Sequence, residues 1–143
     1  GVRAPSNRGA AMAPAAAETI LRYINLRGGK IDDVELIVTG DLGHEGCEIL
    51  RDLLGKDRAD ICDKLADCGV MIYDTARQDV HSGGSGCGCS AVVLASYFLP
   101  KLEARELKKI VFVGTGALMS PLSLQQGEGI PAIAHLVELQ CAE

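Results

Sequence analysis

Helix-periodic stretches alternate along this chain with short β-branched runs, and that alternation restricts it to a small set of architectures. Ala13, Ala17, Ile20, Leu21 and Ile24 recur at helical spacing and Gly28-Gly29 supplies a stop, which predicts a helix over residues 11–26. Residues 33–39 have the brevity and β-branched content of a strand that ends at Gly40-Asp41. A second helix is expected over 45–54, where Ile49/Leu50 and Leu53/Leu54 share a face and Gly55 follows. Residues 61–65 read as a short turn, and Val70-Met71-Ile72-Tyr73 as a buried strand. Residues 92–99 are apolar nearly all round, which predicts a helix buried on more than one side, with Pro100 placed to kink it. Strands over 110–113 and 133–139 complete the series. The order calls for an α/β fold, a mostly parallel sheet with helices on both faces.

Ligands of such sheets collect at the carboxyl ends of the strands. Three loops of that kind stand out: Thr39-Gly40-Asp41, residues 79–88, and Gly114-Thr115-Gly116-Ala117. The middle one runs into His81-Ser82-Gly83-Gly84-Ser85-Gly86-Cys87-Gly88-Cys89-Ser90-Ala91, with four glycines among small residues just ahead of an apolar helix. Each of these glycines gives up side-chain contacts and folding entropy, so the run serves a close approach. Two readings stand: a ligand lying against main-chain N–H groups, or a crowded interior crossing of the chain's own backbone.

Composition narrows the function classes. With 143 residues, 48% of them hydrophobic, the chain is long enough for one globular domain with a core, expected over 11–143 behind a loose segment over 1–10. A net charge of −5 and the lack of any basic run argue against a nucleic-acid partner. No apolar run reaches the roughly 18 residues a membrane-spanning helix needs, and the N-terminus lacks the regions of a signal peptide, so the chain reads as cytosolic. Its six cysteines sit among core-like segments, which predicts free thiols. Cys62 and Cys68 do not give a second ligand pair to Cys87 and Cys89 at zinc-site spacing, so no metal site is expected; no cofactor is expected either, and a role for calcium is left open.

Several motifs together carry a resemblance. Thr39-Gly40-Asp41-Leu42-Gly43, Cys68-Gly69-Val70-Met71-Ile72-Tyr73-Asp74, Gln78-Asp79-Val80-His81 with the glycine run, and Thr115-Gly116-Ala117-Leu118-Met119-Ser120-Pro121 with Gln125-Gln126 closely resemble the stage V sporulation protein AD family. The resemblance runs from Met12-Ala13-Pro14 to Ile133-Ala134-His135. It implies a thiolase-like fold of two similar halves, of which this chain looks like most of the second, with a mixed, mostly parallel sheet of the five-stranded type. The first strand of that half, which lies at the sheet's centre, would precede the first helix, where this chain has only Gly1 to Asn7. A sheet lacking its centre would leave backbone groups unpaired, unless a partner supplied the strand or the topology were rearranged, and the favoured expectation is that the chain is a fragment of something longer.

The resemblance further implies a noncatalytic protein of spore-forming bacteria that binds dipicolinic acid for uptake into the developing spore. Its implied setting is the forespore, cytosolic or peripheral at the spore inner membrane through other spore uptake (SpoVA) proteins, as a homodimer. No catalytic residue is expected: Gly40-Asp41 stands where condensing enzymes carry a histidine or asparagine, and the late run Phe112-Val113-Gly114-Thr115-Gly116 has no cysteine. The ligand-binding candidates are Asp41, His81, Gly83, Gly84, Ser85, Gly86, Cys87, Gly114, Thr115 and Gly116. N–H groups of residues 83–87 would receive a carboxylate, His81 would add a hydrogen bond, and Gly114-Thr115-Gly116 would line the opposite wall. Asp41 has a second reading, as a cap of the following helix. The competing functions are a thiolase-fold acyltransferase that uses His81 on an acyl thioester, and a structural assembly subunit.

Overall fold

A computed structural model describes residues 8–55, 58–118 and 120–142 of the chain. The sequence reading of residues 1–7 as loose therefore lies outside the described residues, while residues 8–10 form the first turn of a helix.

Helix α1 (Arg8–Leu26) starts three residues before its predicted boundary and buries Met12, Ala13, Ala16, Ile20 and Ile24 along one stripe. It closes in a Schellman turn: Gly28 takes φ +64°, and the Gly29 and Gly28 N–H groups donate to the carbonyls of Ile24 and Asn25. Strand β1 (Leu36–Thr39) follows, then α2 (Gly43–Leu54), the single turn α3 (Ala59–Cys62), β2 (Leu65–Asp67) and the single turn α4 (Cys68–Met71). After the glycine run, α5 (Cys87–Val93), a π-helical turn (Leu94–Phe98) and α6 (Leu99–Glu103) form one continuous rod. Strand β3 (Lys109–Ala117), α7 (Pro121–Gln125) and β4 (Ala132–Gln140) end the chain.

The four strands make one mixed sheet in the order β2-β1-β3-β4, with β1 parallel to both neighbours and β4 antiparallel to β3. Side chains alternate across it. Ile37, Val111 and Val113 join α1 and α2 in one apolar cluster, while Val38 and Ile110 join Cys89, Val93, Phe98 and Leu102 of the α5–α6 rod in another. Both faces therefore carry helices, as the alternation in the sequence requires, and the arrangement is consistent with a partial thiolase-like half.

Several expectations are corrected. The central vacancy does not exist among the described residues: β1 pairs directly with β3, Leu36 opposite Ile110 through Thr39 opposite Val113, so the inner backbone groups are satisfied within the chain. Val70-Met71-Ile72-Tyr73 is not a strand. The Asp67 carboxylate accepts from the Val70 N–H at 3.1 Å and caps a helical turn there, and the strand lies just upstream in β2. Gly114-Thr115-Gly116-Ala117 is not a loop but the second half of β3, paired with residues 132–135 of β4. The α5–α6 rod is buried on one side only: Val92, Tyr97 and Leu99 are exposed, and on the same side of the sheet so are Ile133 and Val137 of β4. The kink expected at Pro100 takes the form of the π turn just before it; proline has no N–H to offer the preceding turn, and the wider π spacing absorbs that loss.

Candidate functional site

The carboxyl ends of β1 and β3 meet the glycine run at Asp41. This side chain is 6% exposed, and its charge is met entirely by the chain's own donors. Oδ1 accepts from the Thr115 hydroxyl at 2.8 Å, and Oδ2 from the Gly86 N–H at 2.7 Å and the Ser85 hydroxyl at 3.4 Å, while the Asp41 N–H donates to Thr115 Oγ1 at 3.0 Å. Four of the ten candidates, Asp41, Ser85, Gly86 and Thr115, are thus brought together in one bonded knot. Because Asp41 takes the Gly86 N–H, one of the donors expected to receive a ligand carboxylate is already spent.

A second buried carboxylate, which the sequence reading passed over, sits one strand away. Asp67 accepts from the Thr39 hydroxyl at 2.6 Å and from the N–H groups of Leu42, Gly43 and Val70 at 2.9, 3.0 and 3.1 Å. It fixes the start of α2 to the start of α4. The signal for it was present, since an aspartate ahead of a helical turn is a cap, but it is readable only once residues 68–71 are known to be helical.

Gly83 and Gly84 belong to the crowded crossing. The Gly84 N–H donates to the Gly69 carbonyl, and a Cβ on Gly84 would meet Ile72 Cγ2 at 2.6 Å and Cys89 Sγ at 2.9 Å. A Cβ on Gly83 would meet the Gly69 carbonyl oxygen at 2.5 Å. The backbone of these residues nevertheless also forms one wall of a cleft of about 300 Å³. The opposite wall is the β1–α2 junction at Leu42 and Gly43, and the rim carries Arg8, Glu45, Ser82 and Ser85. The crowded crossing is what the structure shows of the run: its side facing Gly69 and Cys89 is packed, while its other side lines the cleft towards α1 and α2.

The remaining candidates lie elsewhere. The His81 side chain is 90% exposed, with Nδ1 3.5 Å from Asp79 Oδ1, and does not line the cleft. Cys87 is exposed at the first residue of α5. Gly114 and Gly116 lie within β3 opposite His135 and Ile133, away from the cleft. Arg8 was not among the candidates. It lies in a stretch without periodicity or motif, and only the approach of the first turn of α1 to Ser85 reveals it, with Arg8 Nη1 donating to Ser85 Oγ at 3.0 Å.

All six cysteines are free, as expected. Burial pushes the Cys68 thiol up to about 12, with the Asp67 and Asp41 carboxylates and Cys89 adding to the effect, and burial raises Cys89 as well. Their surroundings thus disfavour the thiolate at both sites. Among the described residues no group of three or more His, Cys, Asp or Glu side chains is placed to hold a metal ion, and no helix is long and apolar enough to cross a membrane.

The sequence model of the stage V sporulation protein AD family matches residues 1–140. This chain belongs to that family. It is similar to the stage V sporulation protein AD of Bacillus subtilis (strain 168), 45% identical over 142 residues that cover 99% of this chain and 42% of that protein. The chain therefore spans about two fifths of the length of this relative, and family membership assigns it to sporulation.

Proposed function

We propose that the chain is part of a noncatalytic dipicolinate-binding component of the spore's dipicolinate uptake machinery. The observation that carries this reading is the cleft between the glycine run and the β1–α2 junction, in a chain of a sporulation family. Dipicolinate is a flat pyridine ring with two carboxylates. A slot walled by bare backbone at Gly83 and Gly84 suits a flat ring, and the Ser82 hydroxyl and the Arg8 guanidinium at its rim suit carboxylate oxygens. The N–H groups of Gly83, Gly84 and Gly86 are bonded within the chain, to Val80, Gly69 and Asp41, so recognition passes from the backbone to these side chains. A place in the forespore or at the spore inner membrane, association with other spore uptake proteins and pairing as a homodimer belong to the same proposal.

A noncatalytic role is supported by the solvent-facing His81, which does not line the cleft, and by Asp41, which lines it with both carboxylate oxygens already bonded to Thr115, Ser85 and Gly86. The test is isothermal titration of dipicolinate into the full-length gene product, with Ser85→Phe as the blocking variant. Ser85 is exposed on the rim, whereas bulk at Gly84 would enter the packed crossing and unfold it. Saturable binding that is lost in a folded Ser85→Phe protein is the expected result. A parent protein that does not bind dipicolinate overturns the proposal, and turnover of an acyl thioester that disappears in His81→Ala would establish the acyltransferase instead.

A further inference from the structure

The guanidinium of Arg8 stands at the mouth of this cleft with its hydrogen bonding incomplete. Nη1 donates to Ser85 Oγ, which itself donates to the saturated Asp41, so one corner of the fork is pinned to the knot that joins β1, β3 and the glycine run. The Nε–H is buried and has no acceptor among the described residues. A buried cationic donor without a partner is rare in a folded chain, because it keeps the full cost of leaving water and gains nothing in return.

Resting on the binding reading above, we propose that Arg8 swings its Nε edge to the cleft and grips one carboxylate of the ligand, with Ser85 holding the guanidinium by Nη1. A carboxylate is the group the vacant edge fits, since the Nε–H and the neighbouring Nη2–H present two parallel donors to its two oxygens. The ligand class is then a planar aromatic carboxylate with its ring against the backbone of Gly83 and Gly84. One carboxylate suffices for this grip, and a second extends toward the open rim, where Ser82 supplies a hydroxyl.

The experiment compares dipicolinate, picolinate and the neutral pyridine-2,6-dicarboxamide on the full-length wild type, Arg8→Ala and Arg8→Lys, with thermal unfolding as the control for fold. Arg8→Ala is expected to weaken both acids by about ten- to a hundredfold while leaving the diamide unchanged. Arg8→Lys, which keeps the charge but not the fork, is expected to fall between. Equal binding of dipicolinate by wild type and Arg8→Ala overturns this inference and leaves the binding function standing, and so does an equal loss for acids and diamide, which would make Arg8 merely structural. No binding of dipicolinate by the wild type overturns both.

Discussion

Asp67 and Asp41 are the two buried carboxylates among the described residues, and each accepts hydrogen bonds from the loops around it. Truncating Asp67 leaves the N–H groups of Leu42, Gly43 and Val70 and the Thr39 hydroxyl without their acceptor. Asp67→Ala is therefore expected to cost about 3 kcal/mol in urea unfolding of the full-length gene product, and a change below about 0.5 kcal/mol would contradict the bracing role. The glycines separate in the same way. Gly84→Ala drives a Cβ into Ile72 and Cys89 and should destabilise, whereas a Cβ on Gly88 meets nothing within 4 Å, so Gly88→Ala should be neutral or stabilise by about 0.5 kcal/mol through helix propensity. Thiol chemistry gives a third check. Alkylation followed by mass spectrometry should label exposed Cys87 in the native protein, while half-buried Cys47 and buried Cys68, both pushed up to about 12, wait for unfolding. Rapid native labelling of Cys68 would contradict its placement. From the sequence, Asp41 was legible as a functional-looking carboxylate at a strand end, but its partners lie 44 to 74 residues away, and no local pattern reports them.

At the level of elements, α1 is tied to the far edge of the sheet by a charged cluster. Arg27 pairs with Asp33 and Glu138, Lys109 pairs with the same two carboxylates, and the Tyr23 hydroxyl donates to Glu138 at 2.6 Å. Hydrogen bonds from Lys109 and Arg27 hold the Asp33 carboxyl down at about 2. Because that value lies below the unfolded one, the stabilisation is complete above about pH 4 and is lost as pH falls toward 2. Asp33→Asn should flatten the acid limb of a stability-against-pH profile in this window; an unchanged limb would show that the cluster is not coupled to folding. Salt should weaken the same contribution, since Asp33 is half exposed. The elements themselves were largely readable. Periodicity located α1 and α2, and β-branched runs located β1, β3 and β4. The run over 70–73 failed because four apolar residues fit a buried strand and a capped helical turn equally well, and the cap on Asp67 decided between them.

The described residues form a four-stranded sheet with one face closed by α1 and α2 and the other only partly covered by the α5–α6 rod. Val92, Tyr97, Ile133 and Val137 leave apolar surface open on that second side. The 143-residue chain by itself is accordingly expected to bind an apolar dye and to self-associate, and Tyr97→Glu with Val137→Lys should reduce both, read by dye fluorescence and sedimentation, with stability changed by less than about 0.5 kcal/mol for each substitution. Unaltered association would place the sticky surface elsewhere. By itself the sequence determined the α/β class, the places of most strands and helices, the free thiols and the family, because these follow from short-range periodicity, composition and contiguous motifs. Only the tertiary structure decided that β1 pairs with β3, that His81 faces water, that Asp41 is consumed by Thr115 and Gly86, and that Arg8 stands over the cleft. Each of those outcomes depends on which distant backbone groups find partners, and hydrogen-bond satisfaction across tens of residues leaves no signature in any local stretch of sequence.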